Sequence, residues 1–391
     1  MDLKSLDIAK LLLPIALIAA PASAQHDPED YRADAEQVIQ LIEQNYAYRD
    51  RFPDAQIPIN ATLRAEADSV DDSADLLAFT ERMLLLLRDH HAITGSSFSD
   101  SWALVPSYTD LWIIYRDGVY LVDAVRGGSP ADRAGITAGM RLTHIGNMPV
   151  DQAVAAFWAD LGEGPNVHRE SQAFAARVLA AGRRDRERRL SFASDAGALS
   201  VDLPSMYDEP RAASGPITVS RDDDTLLIRF NDSLGDEATI QAFDSAMADA
   251  DDAQHVVLDL TDTPSGGNTT VARGIMGWFV DEPSPYQIHE HPAEELRTGI
   301  ARRWTEFVMP RDGMYFAGDV TVRVGRWTGS MGEGLAIGMQ AQGASLEGGP
   351  MAGLLGAIYD LRTDRTGLLF KLPAERLYAV DGTPREDVSV P

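Results

Sequence analysis

From Asp224 onward, strand-length apolar runs alternate with helix-length amphipathic ones, and this alternation limits the fold more than any other feature of the chain. Thr225 to Phe230 predicts a strand, Asp236 to Ala248 a helix, His255 to Leu260 a buried strand and Asn268 to Val280 a second helix. After an irregular stretch to about Gly318, Asp319 to Val324 predicts another strand and Gly332 to Gln342 another helix. Parallel strands need a crossover and a helix supplies it, so the pattern predicts a largely parallel α/β sheet layered with helices. In such sheets ligands bind beyond the carboxyl ends of the strands, which directs attention to the loop at the end of each strand.

The upstream part reads differently. Tyr31 to Tyr48 predicts an amphipathic helix with Val38, Ile39, Ile42 and Tyr46 on one face. Ser73 to Leu87 predicts a second, opened by the capping cluster Asp71-Asp72-Ser73. They suggest a small helical domain over 25–105 that carries Arg88-Asp89-His90-His91 near its end. A module over 106–165 comes next, with strands at Trp112 to Tyr115 and Val119 to Val125 around an Arg116-Asp117-Gly118 turn. Its remainder holds a short helix closed by Gly135, a strand before Gly146 and a helix from Asp151 to Leu161. The third unit, 166–391, opens with a basic island from Arg183 to Arg189, read as a solvated helix end or hairpin, and a polar connection from Asp195 to Ser220.

Charge and composition exclude several functions. The net charge of −26 over 391 residues repels phosphate, so nucleic acid is not an expected partner. Without cysteine there is no disulfide, thiolate metal site, cysteine nucleophile or lipid-modified cysteine anchor. No stretch reaches the ~20 apolar residues that a bilayer span needs. Leu11 to Ala20 is an apolar core followed by Pro21-Ala22-Ser23-Ala24, which predicts a signal peptide over 1–24 cut near Ala24 and a periplasmic or secreted protein. The only lysines are Lys4, Lys10 and Lys371, so one remains after cleavage.

Three segments could carry chemistry. Asp259-Leu260-Thr261-Asp262-Thr263-Pro264-Ser265-Gly266-Gly267-Asn268 joins a strand to a helix, either as ordinary punctuation or as backbone N–H groups that cradle an anion. In Arg326-Trp327-Thr328-Gly329-Ser330-Met331-Gly332-Glu333 a serine stands at a strand-to-helix turn, as an N-cap or as an exposed nucleophile beside free N–H groups. Asp89-His90-His91 supplies imidazoles, which are either helix-end residues or the base that a serine needs. His289-Glu290-His291, beside Pro292, reads as exposed polar loop rather than a metal site. The glycines from Gly343 to Gly356 follow no dinucleotide pattern, and no Walker-type lysine exists. No cofactor and no metal are expected.

In this order the three segments resemble the tail-specific (C-terminal processing) serine peptidases, including the tricorn-like branch. The resemblance covers most of the mature chain: a helical start ending in Asp-x-His, a PDZ-like module at about Leu111 to Leu161, and a core with the Gly-Gly loop and Thr328-x-Ser330-x-x-Glu333. It implies a layered ββα core of the crotonase/Clp-protease type and a serine endopeptidase acting on peptide or unfolded protein. Ser330 becomes the nucleophile, and the N–H groups of Met331 and of Gly266 or Gly267 the oxyanion hole. Asp89, His90, Thr328 and Glu333 support them, and Leu111, Trp112 and Ile113 line the PDZ-like peptide site.

Many members of this family pair the serine with a downstream lysine. The matching stretch, Gly349-Pro350-Met351-Ala352-Gly353-Leu354-Leu355-Gly356, has none, and Lys371 lies beyond it on an expected edge strand. The tricorn-like alternative uses a histidine and a late glutamate, which His91 and Glu386 match, although His90 stands where that branch has serine. Glu386 would fix the His91 tautomer, and activity would rise as an ordinary imidazole deprotonates near ~6.5. The expected carboxylate loop of the PDZ-like module, Thr109-Asp110-Leu111-Trp112-Ile113, lacks glycine and carries an acid. A catalytically inactive relative that binds peptides or apolar ligands as a PDZ-type adaptor is the alternative. The oligomeric state is not encoded in any motif.

Overall fold

The computed structural model describes residues 26–104, 106–164, 169–209, 215–248 and 253–390. The expected leader over 1–24 lies outside the described residues.

The strand–helix alternation builds the expected sheet. Its strands lie in the order Ser345–Gly348, Asp319–Val324, His255–Asp259, Thr225–Phe230 and Ile217–Asp222; the first four are mutually parallel and the last is antiparallel. Val256, Val257 and Leu258 of the central strand are all buried, as a strand covered on both faces requires. The helix Met331–Ala341 is buried along its first nine residues, because it packs against the helix Thr269–Met276 and also against the strand Ser284–Glu290 of a second sheet.

That second sheet runs Ile93–Thr94, Leu369–Tyr378, Ser284–Glu290, Arg303–Val308, with Ala357–Arg362 also paired to Leu369–Tyr378. Lys371 is therefore not on an edge strand. Its neighbours across the ladder are Ile93 on one side and Asp360 on the other, and its ammonium meets the Asp360 carboxylate at 2.6 Å.

A third, antiparallel sheet joins Leu111–Arg116, Val119–Val125, Arg141–Ile145, Arg188–Ser194 and Gly197–Leu203, with Met148–Pro149 beside Arg141–Ile145. The helix Arg169–Ala181 packs on Leu111–Arg116. The boundary expected at 165 thus falls inside one packed unit that extends to Leu203. The basic island is not wholly solvated: Arg188 starts a strand and forms a buried ion pair with Asp110 at 2.7 Å. The N-terminal helices Pro28–Asn45, Ala61–Ala67 and Ser73–Leu85 share one apolar core with this unit and with Phe370 and Leu372 of the second sheet.

His289, expected on the surface, is buried in the strand Ser284–Glu290. Its Nδ1 lies 2.7 Å from Glu375 and its Nε2 3.0 Å from Glu306, and its ring stacks on Trp304 at 4.8 Å. Burial opposes the imidazolium, but hydrogen bonds to Glu306 and Glu375 outweigh it and raise the His289 pKa. Burial likewise acts against the two carboxylates, and His289 overrides it to hold both below the usual range. The imidazolium therefore stabilises the fold fully below its unfolded pKa near ~6.5 and loses that contribution as pH rises through the higher folded value. The carboxylates contribute above their unfolded pKa and lose it in acid. His289→Gln leaves two facing carboxylates, so urea unfolding at pH 6 should show a loss of ~3–5 kcal/mol. The wild-type decline in stability above pH 7 should be shallower in the variant; parallel curves would show that His289 carries no charge in the folded state.

Candidate active site

Two loops that leave adjacent parallel strands run side by side. Trp327–Thr328 pairs in parallel with Asp262–Thr263. The Thr328 hydroxyl donates to the Leu260 carbonyl at 2.8 Å, and the Gly329 N–H to the Thr263 carbonyl at 3.2 Å. These bonds fix the serine turn against the Gly-Gly loop. Ser330 comes next at φ 52°, ψ −115°, as the N-cap of Met331–Ala341. A non-glycine residue held there costs roughly 1–3 kcal/mol and persists only where its surroundings over-determine it.

Gly266 explains why this loop needs glycine. At φ 62°, a Cβ on it would lie 2.5 Å from the Ser330 Cβ and 2.9 Å from its Oγ. The Gly266 backbone is thus pressed against the serine hydroxyl. At Gly267 a Cβ would clash with the Leu234 carbonyl group. Met331 is the first residue of the helix, so its N–H has no acceptor within the helix and points with the positive end of the helix dipole. Side chain, glycine loop and helix N-terminus converge.

Glu333 locks the turn. Fully buried, it accepts the Ser330 N–H at 2.9 Å, the Gly353 N–H at 2.8 Å and the Leu354 N–H at 3.2 Å. Arg385 lies 3.9 Å from the same carboxylate and donates to the carbonyls of Leu354 and Gly356 at 2.7 and 2.8 Å. Burial pushes the Glu333 carboxyl up to about 7, against the pull of Arg385 and the three N–H groups. Neither Arg385 nor residues 353–356 stand out in the sequence, beyond the missing lysine in that stretch.

His91 reaches the same segment from the other side. Its Nδ1 lies 2.7 Å from the Leu355 carbonyl. A carbonyl only accepts, so Nδ1 carries the proton and Nε2 holds the basic lone pair. Burial, with Arg385 nearby, lowers the His91 pKa to about 4. No hydrogen bond joins His91 to Ser330; they meet through Glu333 and the 353–355 segment. Asp89 accepts the His91 N–H at 2.8 Å and the Tyr46 hydroxyl at 2.9 Å, which fixes the backbone of the histidine, and burial raises its pKa. His90 turns away, with Nδ1 2.6 Å from the Leu104 carbonyl and its ring 4.5 Å from Phe174. Glu386 lies on the short helix Arg385–Asp387 and is not bonded to His91; its Oε2 is buried without a partner, and burial raises its pKa. The tautomer is set by Leu355, not by Glu386. Leu111 and Ile113 are fully buried in the core, and Trp112 packs with Trp327, Ala352 and Leu354. Among the described residues the group of side chains close enough to share a metal ion is Asp71, Asp72 and Asp75, exposed at a helix start that Asp72 caps.

No protein-family model matches the sequence, and no curated protein matches it. Solved structures do. A photosystem II D1 C-terminal processing protease superposes with TM-score 0.56 at 13% identity, over 92% of this chain and 91% of that one. Mature CPAF superposes with TM-score 0.58 at 13% identity, over 93% and 91%. The chain has the C-terminal processing protease fold. At this identity the likeness concerns the fold, and the reading of the site rests on its own geometry. Within that fold, Gly266→Ala should cost on the order of 1–3 kcal/mol through the left-handed backbone alone and displace Ser330. Thermal unfolding checks this; a variant as stable as the wild type would contradict the packing described.

Proposed function

We propose that this C-terminal processing protease fold carries a serine endopeptidase in which Ser330 attacks a peptide carbonyl, His91 takes its proton and Glu386 supports the resulting imidazolium. The observation that carries the reading is the attachment of Ser330 and His91 to one short segment: Glu333 ties the Ser330 N–H to Gly353 and Leu354, and Leu355 orients the His91 ring. Backbone N–H groups of Met331 and of Gly266 or Gly267 then form the oxyanion hole, a contribution of the kind whose loss costs about 10²–10³ in rate. Glu386 acts through its field, because the Leu355 carbonyl already occupies Nδ1. Closure of the cleft on a peptide brings Nε2 to the Ser330 hydroxyl. Among the described residues the only lysine is Lys371, which Asp360 engages, and this favours the histidine-based, tricorn-like branch. The reading includes export to the periplasm or beyond after cleavage near Ala24, and a PDZ-like role for the antiparallel unit.

A fluorophosphonate probe tests the reading. Labelling should occur in the wild type, vanish in Ser330→Ala, fall ~10²–10⁴-fold in rate in His91→Ala and persist in Lys371→Ala. A folded wild type that resists the probe would favour an inactive binding protein, and undiminished labelling of His91→Ala would remove the histidine from the mechanism.

Acidity gives a second check. The free-enzyme histidine loses its proton at about 4, so His91 is already basic well below neutrality. The acid limb of kcat/KM, which reports free-enzyme groups, should lie nearer that value than the ordinary imidazole value. A limb at an unshifted imidazole pKa would mean that His91 is not buried in the working enzyme.

A further inference from the structure

The second sheet ends on a bare edge. Its outermost strand, Arg303–Val308, pairs with Ser284–Glu290 and, among the described residues, with no other strand. The phase of that edge is fixed. One step beyond the ladder the His291 N–H donates to the Arg302 carbonyl at 3.0 Å. By the antiparallel alternation Arg302, Trp304 and Glu306 therefore turn their N–H and C=O groups inward, and Arg303, Thr305 and Phe307 turn theirs outward. Pro285, which stands opposite Phe307, has no N–H to give and agrees with this phase. The irregularity in the ladder lies on the Ser284–Glu290 side, between Pro285 and Gln287, so Arg303–Val308 itself runs unbroken.

The side chains divide the same way. Trp304 stacks on His289, Glu306 bonds to it and Val308 is buried. Arg303, Thr305 and Phe307 are exposed, Phe307 by 47%. Natural sheets blunt such an edge with lysine, proline or a strand too short to pair. The stretch Arg303–Val308 holds no lysine and no proline over its 6 residues. Apolar surface continues past both ends, with Ile300 70% and Met309 57% exposed.

We propose that a second copy of this chain pairs with this edge, antiparallel and about a two-fold axis through Thr305. Thr305 is the middle one of the outward residues, so an axis there engages all of them. Arg303 exchanges backbone hydrogen bonds with the partner's Phe307, Thr305 with the partner's Thr305, and Phe307 with the partner's Arg303. Any other axis pairs fewer of them within the strand. On the exposed face the Arg303 guanidinium, which lies over the Tyr378 ring at 4.7 Å, falls opposite the partner's Phe307. A cation then meets an aromatic ring and no arginine faces an arginine. The Met309 end of one strand lies beside the Ile300 end of the other, which covers the apolar surface at both ends. The second sheets of the two copies become one, and the helix that begins at Met331 packs on that shared sheet through Ser284–Glu290.

Sedimentation velocity of the purified protein over roughly a hundredfold range of concentration tests this, since self-association follows mass action. Salt near physiological strength screens the net charge of −26 on each copy. The wild type should pass from one protomer to two and stop there, because a two-fold contact closes on itself. Thr305→Pro should weaken the dimer about tenfold or more, the scale of two lost hydrogen bonds. The Thr305 N–H faces outward, so the ladder within the chain is spared and circular dichroism should be unchanged. Phe307 tests the register. Phe307→Lys sets an ammonium opposite the partner's Arg303 and should dissociate the dimer, whereas Phe307→Glu sets a carboxylate there and should retain it. A wild type that stays a single protomer, growth past the dimer, or a dimer untouched in folded Thr305→Pro would overturn the proposal. So would equal loss of the dimer in Phe307→Lys and Phe307→Glu, and these two variants decide alone if Thr305→Pro does not fold.

Discussion

One buried carboxylate organises the candidate site. Glu333 has no solvent to stabilise its charge, so its four polar contacts must do so, and each comes from a part of the chain the site needs in place. The Ser330 N–H draws the serine into its left-handed backbone conformation, and the N–H groups of Gly353 and Leu354 bring the next segment alongside. Arg385 compensates the charge and, through the carbonyls of Leu354 and Gly356, clamps the same segment. An ion of this kind is costly to bury and more costly to leave half-paired, so the surrounding geometry is specified as one unit.

The same logic extends to the imidazole. Leu354 offers its N–H to Glu333, and the next residue, Leu355, offers its carbonyl to His91. A peptide segment has both donors and acceptors, and here they face two different side chains. The Ser330 turn and the His91 ring are therefore held to one backbone without a hydrogen bond between them. Beside that backbone, Trp112 carries Arg177 and Arg326 on its ring.

Local rules carry much of the fold. The strands Thr225–Phe230 and Asp319–Val324 fall where the apolar runs put them, and Met331–Ala341 begins one residue before the expected helix. They fail where burial depends on distant partners. His289 reads as surface because its neighbours in sequence are polar, yet Glu306 and Glu375 meet it from two other strands. Lys371 reads as an edge residue because a lone lysine suits an edge, and the pairing of Ile93–Thr94 with that strand is too short to announce itself. Arg188 reads as solvated among other arginines until Asp110 is seen opposite it.

Features settled within a few residues are legible in the chain alone: the alternation that makes a parallel sheet, the paired glycines that free a loop backbone for close approach, the N-cap position of Ser330 and the excess of acid over base. Which atoms face each other across the molecule is a matter of packing. The basic nitrogen of His91 is chosen by a carbonyl 264 residues away, and Arg177 is brought over the face of Trp112 from a different element. Hydrogen-bond direction and desolvation act over a few ångströms of space, and no spacing along the chain reports such distances between residues so far apart in sequence.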